Sequence, residues 1–212
     1  MSALSPEKAL IFRITHIANV PWLLDHGLHC RNSPVFDPHF RNIGNPDLIT
    51  KRQQRAVPIP PGGVLSDYVP FYFTPFSIML YNIKTGYGGV PQWPNDEIVI
   101  LVSSLRKVAE LGRPFVFTDR HAYPVTAQYF NRLEDLPRVD WPLLQSRDFR
   151  HDPEDPGKKE RYQAEALVYQ SLPVAGLLGI GCHNGRAKEG LQHELDKRKM
   201  SLEAVVRPGW YF

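Results

Sequence analysis

Glu165 is the residue whose placement most needs a chemical explanation. The run from Lys158 to Ala164 is charged and helix-compatible, and at Glu165 it passes into an apolar, strand-like run, Ala166 to Tyr169. A carboxylate entering a buried strand is costly unless it finds partners. Two readings follow. In one, Glu165 is a strand-edge acid paired with a lysine or arginine. In the other, it is held on a rigid strand beside a cleft, where reacting groups are best preorganised. Upstream, a stretch from Pro46 to Arg55 reads as helical and basic, with Lys51, Arg52 and Arg55 together. Charge alone would equally suit an exposed helix face there.

Three other groupings suggest chemistry and are set aside. His26, His29, Cys30 and His39 match neither C-x-x-C nor H-x-x-x-H spacing, so no metal is expected. Gly176, Gly179 and Gly181 read G-x-x-G-x-G, the reverse of the dinucleotide fingerprint, and no acid follows about 20 residues on in a βαβ setting. His16 alone reads as a satisfied core histidine.

The elements that must position these residues are short. Leu10 to His16 is apolar and β-branched enough for a first strand. Asn19 can cap a helix with Pro21 in its first turn and Gly27 at its end, with Trp22, Leu23 and Leu24 facing the core. Gly27 to Asn45 is a long loop full of turn signals, a form that is often functional. Tyr68 to Phe73 reads as a buried strand and Ser77 to Lys84 as a short helix. Tyr81 to Asn95 is a Gly- and Pro-rich loop. Ile98 to Val102 is an unbroken apolar run, a central strand. A helix spans Ser104 to Leu111, and a strand Phe115 to Thr118. Asp119 to Lys159 is weakly patterned, with helical pieces expected around Gln128–Leu136 and Pro142–Gln145. It interleaves rings and cations, Arg120, His121, Tyr123, Tyr129, Phe149 and Lys159 among them, as a single-strand groove requires. A strand over Gly176 to Gly181, a helix over Ala187 to Lys199 and a strand over Leu202 to Trp210 complete the chain. Strands with few helices between them make the fold α+β rather than doubly wound.

At 212 residues the chain suits one domain, 1–212, with a sizeable core, and 42% hydrophobic residues fit a globular protein. The apolar runs fall short of a membrane span, and Met1 to Lys8 lacks the basic-then-apolar order of a secretory signal. Two cysteines imply no disulfide framework, so a reducing cytoplasm is expected. Residues 1–60 hold seven Lys/Arg against four acids, a difference that equals the net +3 of the whole chain. A locally basic surface suits a polyanion or a pyrophosphate-bearing ligand.

Four stretches in order carry a resemblance: Phe12-Arg13-Ile14-Thr15-His16; Gly62-Gly63 through Tyr68 to Phe73; Phe115 through Asp119-Arg120-His121; and Gln163-Ala164-Glu165 with Leu167-Val168-Tyr169. Together they resemble the DarT family, DNA ADP-ribosyltransferase toxins of the DarT–DarG toxin–antitoxin system. The resemblance implies a mono-ADP-ribosyltransferase fold, two small packed β-sheets forming a cleft for NAD+, which is consumed as substrate. It implies Glu165 and Arg52 as catalytic residues, with Arg55 as the alternative one helical turn away. It implies NAD contacts from Arg13, Ile14, Thr15, Trp22 and Cys30, and DNA contacts from Tyr72, Met79, Arg120, His121 and Lys159. Two positions depart from the family. Phe76 stands where relatives often have Arg, and Lys159 where they can have Arg, which keeps the charge but loses the planar fork. The implied activity is transfer of ADP-ribose to a base in single-stranded DNA, most simply thymine, with a macrodomain antitoxin as partner. Two other classes remain open on the residues. One is an NAD-consuming enzyme acting on guanine, RNA or protein or hydrolysing NAD+; the other is a non-enzymatic single-strand-binding module.

Overall fold

A computed structural model of the chain describes residues 4–212, so part of the Met1–Lys8 leader reading lies outside the described residues. Strand β1 (Leu10–His16) covers the predicted first strand, and α1 (Val20–His26) follows it. Then come β2 (Leu28–His29), α2 (Pro46–Arg52), β3 (Tyr68–Tyr72), α3 (Ile78–Thr85), β4 (Ile98–Ser104) and α4 (Leu105–Glu110). The second half holds β5 (Phe115–Thr118), β6 (Tyr129–Phe130), α5 (Trp141–Ser146), α6 (Lys158–Arg161), β7 (Glu165–Tyr169), β8 (Ser171–Leu172), β9 (Gly179–Cys182), α7 (Gly185–Lys197) and β10 (Ala204–Val206).

Eight strands form one sheet in the order β10-β9-β4-β1-β3-β7-β5-β6, and β2 pairs with β8 apart from it. Every pairing is antiparallel except β9–β10, whose parallel register follows from the α7 crossover between them. The sheet is not uniform. β1 pairs with β4 along its whole length, from Leu10↔Ser104 to His16↔Ile98. With β3 it pairs only at Phe12↔Tyr72. The two small sheets implied by the resemblance thus take the form of two four-stranded halves joined at one point. Pro70 gives a local reason. Its carbonyl faces the β1 side, where it accepts from Arg13 Nη1 at 3.0 Å. In a strand a residue's N–H points the same way as its carbonyl, and proline has none to offer.

Each face of the β1 half packs its own core. Ile11, Val99 and Leu101 meet Leu23 and Leu24 of α1 and Leu191 and Leu195 of α7. Phe12, Ile14, Ile98 and Ile100 meet Leu80 and Ile83 of α3 and the ring of Tyr211. The predicted 176–181 strand starts only at Gly179, and Gly176 ends a 3₁₀ turn; close packing explains the glycines. A Cβ on Gly181 would fall 2.4 Å from the Trp210 ring, and one on Gly176 would fall 2.5 Å from the Leu172 side chain.

Several predicted boundaries move. Gln128–Leu136 is not helical throughout: Tyr129 and Phe130 pair with β5, because their rings pack against the sheet. The last strand shrinks to Ala204–Val206, and Pro208–Trp210 closes as a 3₁₀ turn. Arg55 lies beyond α2 rather than in it. Asn19 precedes α1 but its side chain does not cap it. It is buried instead, donating to Thr15 Oγ1 and to the Arg41 carbonyl, both at 3.0 Å, and accepting from the Arg41 amide at 2.9 Å. One amide side chain thereby ties the long 31–45 loop to β1. Asn19→Ala should leave these buried groups without partners and lower stability by about 1–3 kcal/mol, read from the urea midpoint at unchanged slope.

Candidate active site

The cleft opens where β1 and β3 part. It encloses about 750 Å3, walled by β1, β3, α2, α3 and the loop that Asn19 fastens, with Glu165 at the head of β7. Register brings the key groups together. Tyr72 lies directly across the ladder from Glu165, so both side chains share one face.

Glu165 is 2% exposed and fully partnered. Arg52 Nη1, from the last residue of α2, donates to both carboxylate oxygens, at 2.9 and 3.2 Å. The Ala122 amide donates to Oε1 at 3.0 Å. His121 Nε2 lies 3.7 Å from the same oxygen. The His121 ring accepts the Tyr123 amide at Nδ1, 3.3 Å away, which leaves its proton on Nε2, facing Glu165. Burial pushes the Glu165 carboxyl up, but the Arg52 charge, His121 and the Ala122 amide together outweigh it, and the net direction is down. Burial lowers His121, and the pull of Glu165 does not restore it, so the ring is neutral at pH 7.

A second guanidinium shares the site. Arg13 is held down to about 10, by burial first and then by the nearby Arg52 charge, and remains a cation at neutral pH. Tyr72 is pushed up, by burial and then by Glu165, so it stays a neutral donor, with only Met79 Sδ at 3.6 Å as partner. Around the cleft stand three arginines, Arg13, Arg31 and Arg52, against two carboxylates, Asp37 and Glu165. The balance favours an anionic ligand. Among the described residues, Arg52 Nη2 is buried with no hydrogen-bond partner.

Comparison with known proteins decides the family. The family model described as "ssDNA thymidine ADP-ribosyltransferase, DarT" matches residues 12–212. A DNA ADP-ribosyl transferase of Escherichia coli O127:H6 is 54% identical over 211 residues, covering 100% of this chain and 97% of the relative. The solved structure of Thermus sp. 2.9 DarT in complex with ADP-ribosylated ssDNA superposes with a TM-score of 0.90 at 37% identity, covering both chains fully. The same protein in complex with NAD+ gives 0.86 at 38%, over 98% of this chain and 99% of that one.

The chain belongs to the DarT family.

Against the DarT expectations, the structure gathers Arg13, Ile14, Thr15, Trp22, Cys30, Arg52, Tyr72, Met79, His121 and Glu165 around one cleft. Trp22 is half-buried there, packs against the main core and stacks on His26 at 4.5 Å and 14°. Arg52 rather than Arg55 faces Glu165; Arg55 donates to the Pro124 carbonyl. Arg120 and Lys159 stand outside the cleft lining. Arg120 is paired with Asp119 at 3.0 Å, whereas Lys159 is exposed, 5.6 Å from the Tyr87 ring. His16 accepts the Ala18 amide and bonds Glu97, a structural role. The Ala122 amide escaped the sequence reading, since a backbone donor leaves no mark in residue type.

A depressed carboxyl links stability to pH with a definite sign. Glu165 titrates near ~4.3 when unfolded and lower when folded. Its contribution is fully present above that range and is lost as pH falls through the folded value. Glu165→Gln should therefore show a shallower loss of stability on acidification below about pH 4.3. Denaturation midpoints of both proteins across that window check it.

Proposed function

We propose that this chain transfers ADP-ribose from NAD+ to a thymine of single-stranded DNA, releasing nicotinamide. The observation that carries the reading is the buried Arg52–Glu165 pair at the floor of an anion-favouring cleft, in a member of the DarT family. NAD+ supplies the ADP-ribosyl group, whose bond to nicotinamide breaks with oxocarbenium character, as in glycoside chemistry. Glu165, held ionised, stabilises the positive charge that develops on the ribose. Arg13 and the strand bearing Ile14 and Thr15, with Trp22 and Cys30, bind the dinucleotide. Tyr72 and Met79 orient the acceptor base. The thymine ring nitrogen forms the new bond to the ribose carbon, and its proton leaves to solvent.

Arg52 is engaged with Glu165 through Nη1, and its Nη2 is buried without a partner among the described residues. A guanidinium is a poor proton acceptor, so its role is to stabilise the base as it loses its proton. His121, neutral with its proton on Nε2, steadies the carboxylate. The cleft wants no metal for this chemistry. The setting that goes with this reading is the cytoplasm, and the partner is a macrodomain antitoxin able to remove the modification.

Mass spectrometry of a thymine-containing oligonucleotide incubated with protein and NAD+ tests the proposal; a gain of one ADP-ribose is expected. Glu165→Ala should fold and lose about 10²-fold or more in rate, as loss of one preorganised electrostatic group does. Near-wild-type transfer by that variant would remove Glu165 from its role.

Annealing a complementary strand should suppress modification, because extracting a stacked base costs a few kcal/mol. Among the described elements, α1 through α7 include no helix-turn-helix to offset that cost. Lys159→Ala should reduce DNA modification and leave NAD+ affinity unchanged, since Lys159 lies outside the cleft lining. Equal rates on single and double strands would overturn the acceptor assignment.

A further inference from the structure

Arg55 is neither a cleft residue nor a surface ion pair. It follows α2 by three residues, and its own backbone is fixed: the Leu65 amide donates to the Arg55 carbonyl at 2.9 Å. Ala56 bridges Val64, and the Val57 amide donates to Gly63 O at 2.9 Å. From this rigid base the guanidinium reaches the turn after β5, where Nη2 donates to the Pro124 carbonyl at 3.1 Å. Tyr129 of β6 holds the same turn from another side, donating from its hydroxyl to the Ala122 carbonyl at 2.5 Å. The Arg55 charge also lies close to the Tyr129 hydroxyl, whose titration is pushed up by burial and opposed by that charge.

The turn gripped in this way carries two of the groups on Glu165. The Ala122 amide donates to Oε1, and His121 presents Nε2 to the same oxygen. Thr118 Oγ1 accepts the Glu165 amide at 3.2 Å, so the carboxylate's backbone is fixed from β5 independently of the turn. What the turn controls is the hydrogen bond to the carboxylate oxygen. A slack turn would leave that amide free to wander, and an angstrom of misplacement is costly at a preorganised site.

We infer that Arg55 is a positioning residue: with Tyr129 it clamps the 121–124 turn so that the Ala122 amide stays on the Glu165 carboxylate. The inference rests on Glu165 being the catalytic carboxylate. It separates the two neighbouring arginines by role, Arg52 acting on the site and Arg55 acting on the turn that completes it.

Releasing the clamp has a signed consequence. A carboxylate that loses an amide donor titrates at higher pH, so the acid limb of the kcat profile must move upward. Arg55→Met and Tyr129→Phe should each lower kcat by about 10-fold, within the range for lost orientation, while KM for NAD+ changes less than twofold. Both should shift the acid limb to higher pH, and Arg55→Lys should recover part of kcat and of the shift. A role in folding alone would lower melting temperature and active fraction and leave the limb where it is. An unmoved limb in both Arg55→Met and Tyr129→Phe overturns the clamp. Glu165→Gln, assayed alongside, separates the two failures. If it is inactive while the clamp variants behave as wild type, the clamp fails and the site reading stands; if it is active, the site reading itself fails.

Discussion

A buried carboxylate and a largely buried guanidinium face each other at the floor of this protein's cleft. Charges so placed are expensive to desolvate, and their attraction repays that cost only with good geometry and further hydrogen bonds. Glu165 obtains both, from Arg52 and from the Ala122 amide. Arg52 does not: one of its terminal nitrogens has no partner, and Arg13 adds a second cation a short distance away. The site is therefore balanced for one negative charge more than the protein supplies. A pyrophosphate-bearing substrate supplies that charge, so the pair can serve binding even where it adds little to stability.

The pair can exist only because the sheet is split. Had β1 and β3 remained in register beyond Phe12 and Tyr72, the ladder would have closed over the space that now holds the cleft. Pro70 withholds the N–H that would continue the ladder, and the Arg13 side chain takes the carbonyl that remains. The same guanidinium thus spans the gap and charges it. On the far side, Asn19 fixes the long loop to β1 and gives that wall its position. Substrate binding and sheet geometry are in this sense one problem, solved by a few polar side chains along the seam.

Much of this was legible in the sequence. β1, β5 and the apolar part of β7 were visible as apolar runs, and Glu165 drew notice because an acid at the head of such a run needs partners. Arg52 could be told from Arg55 only through the family resemblance, since both occupy one basic stretch; their divergence arises because α2 stops at Arg52. Other features depend on long-range closure and leave no local trace. Asn19 has the signature of a cap and is used as a loop tie. Tyr129 and Phe130 lie in a polar stretch and become a strand through packing on Phe117. The Ala122 amide acts through its backbone, which composition cannot reveal.

The segment before Glu165 is where charge in sequence and charge in space differ most. Its cations looked available to a nucleic acid, but most are already engaged: Lys158 with Asp148 at 3.0 Å, Arg161 with Asp155 and Asp140, and Arg120 with Asp119. These internal pairs shape the segment into an ordered wall. They also reduce what it can offer to phosphates, because an ion pair already made must be broken before the cation is free. Lys159 remains exposed beside the Tyr87 ring, and Phe76 is covered by Arg147 and Phe212, each 3.9 Å away. Counterion release scales with the number of phosphates neutralised. This surface accordingly offers fewer free cations to phosphates than the composition of the segment suggests.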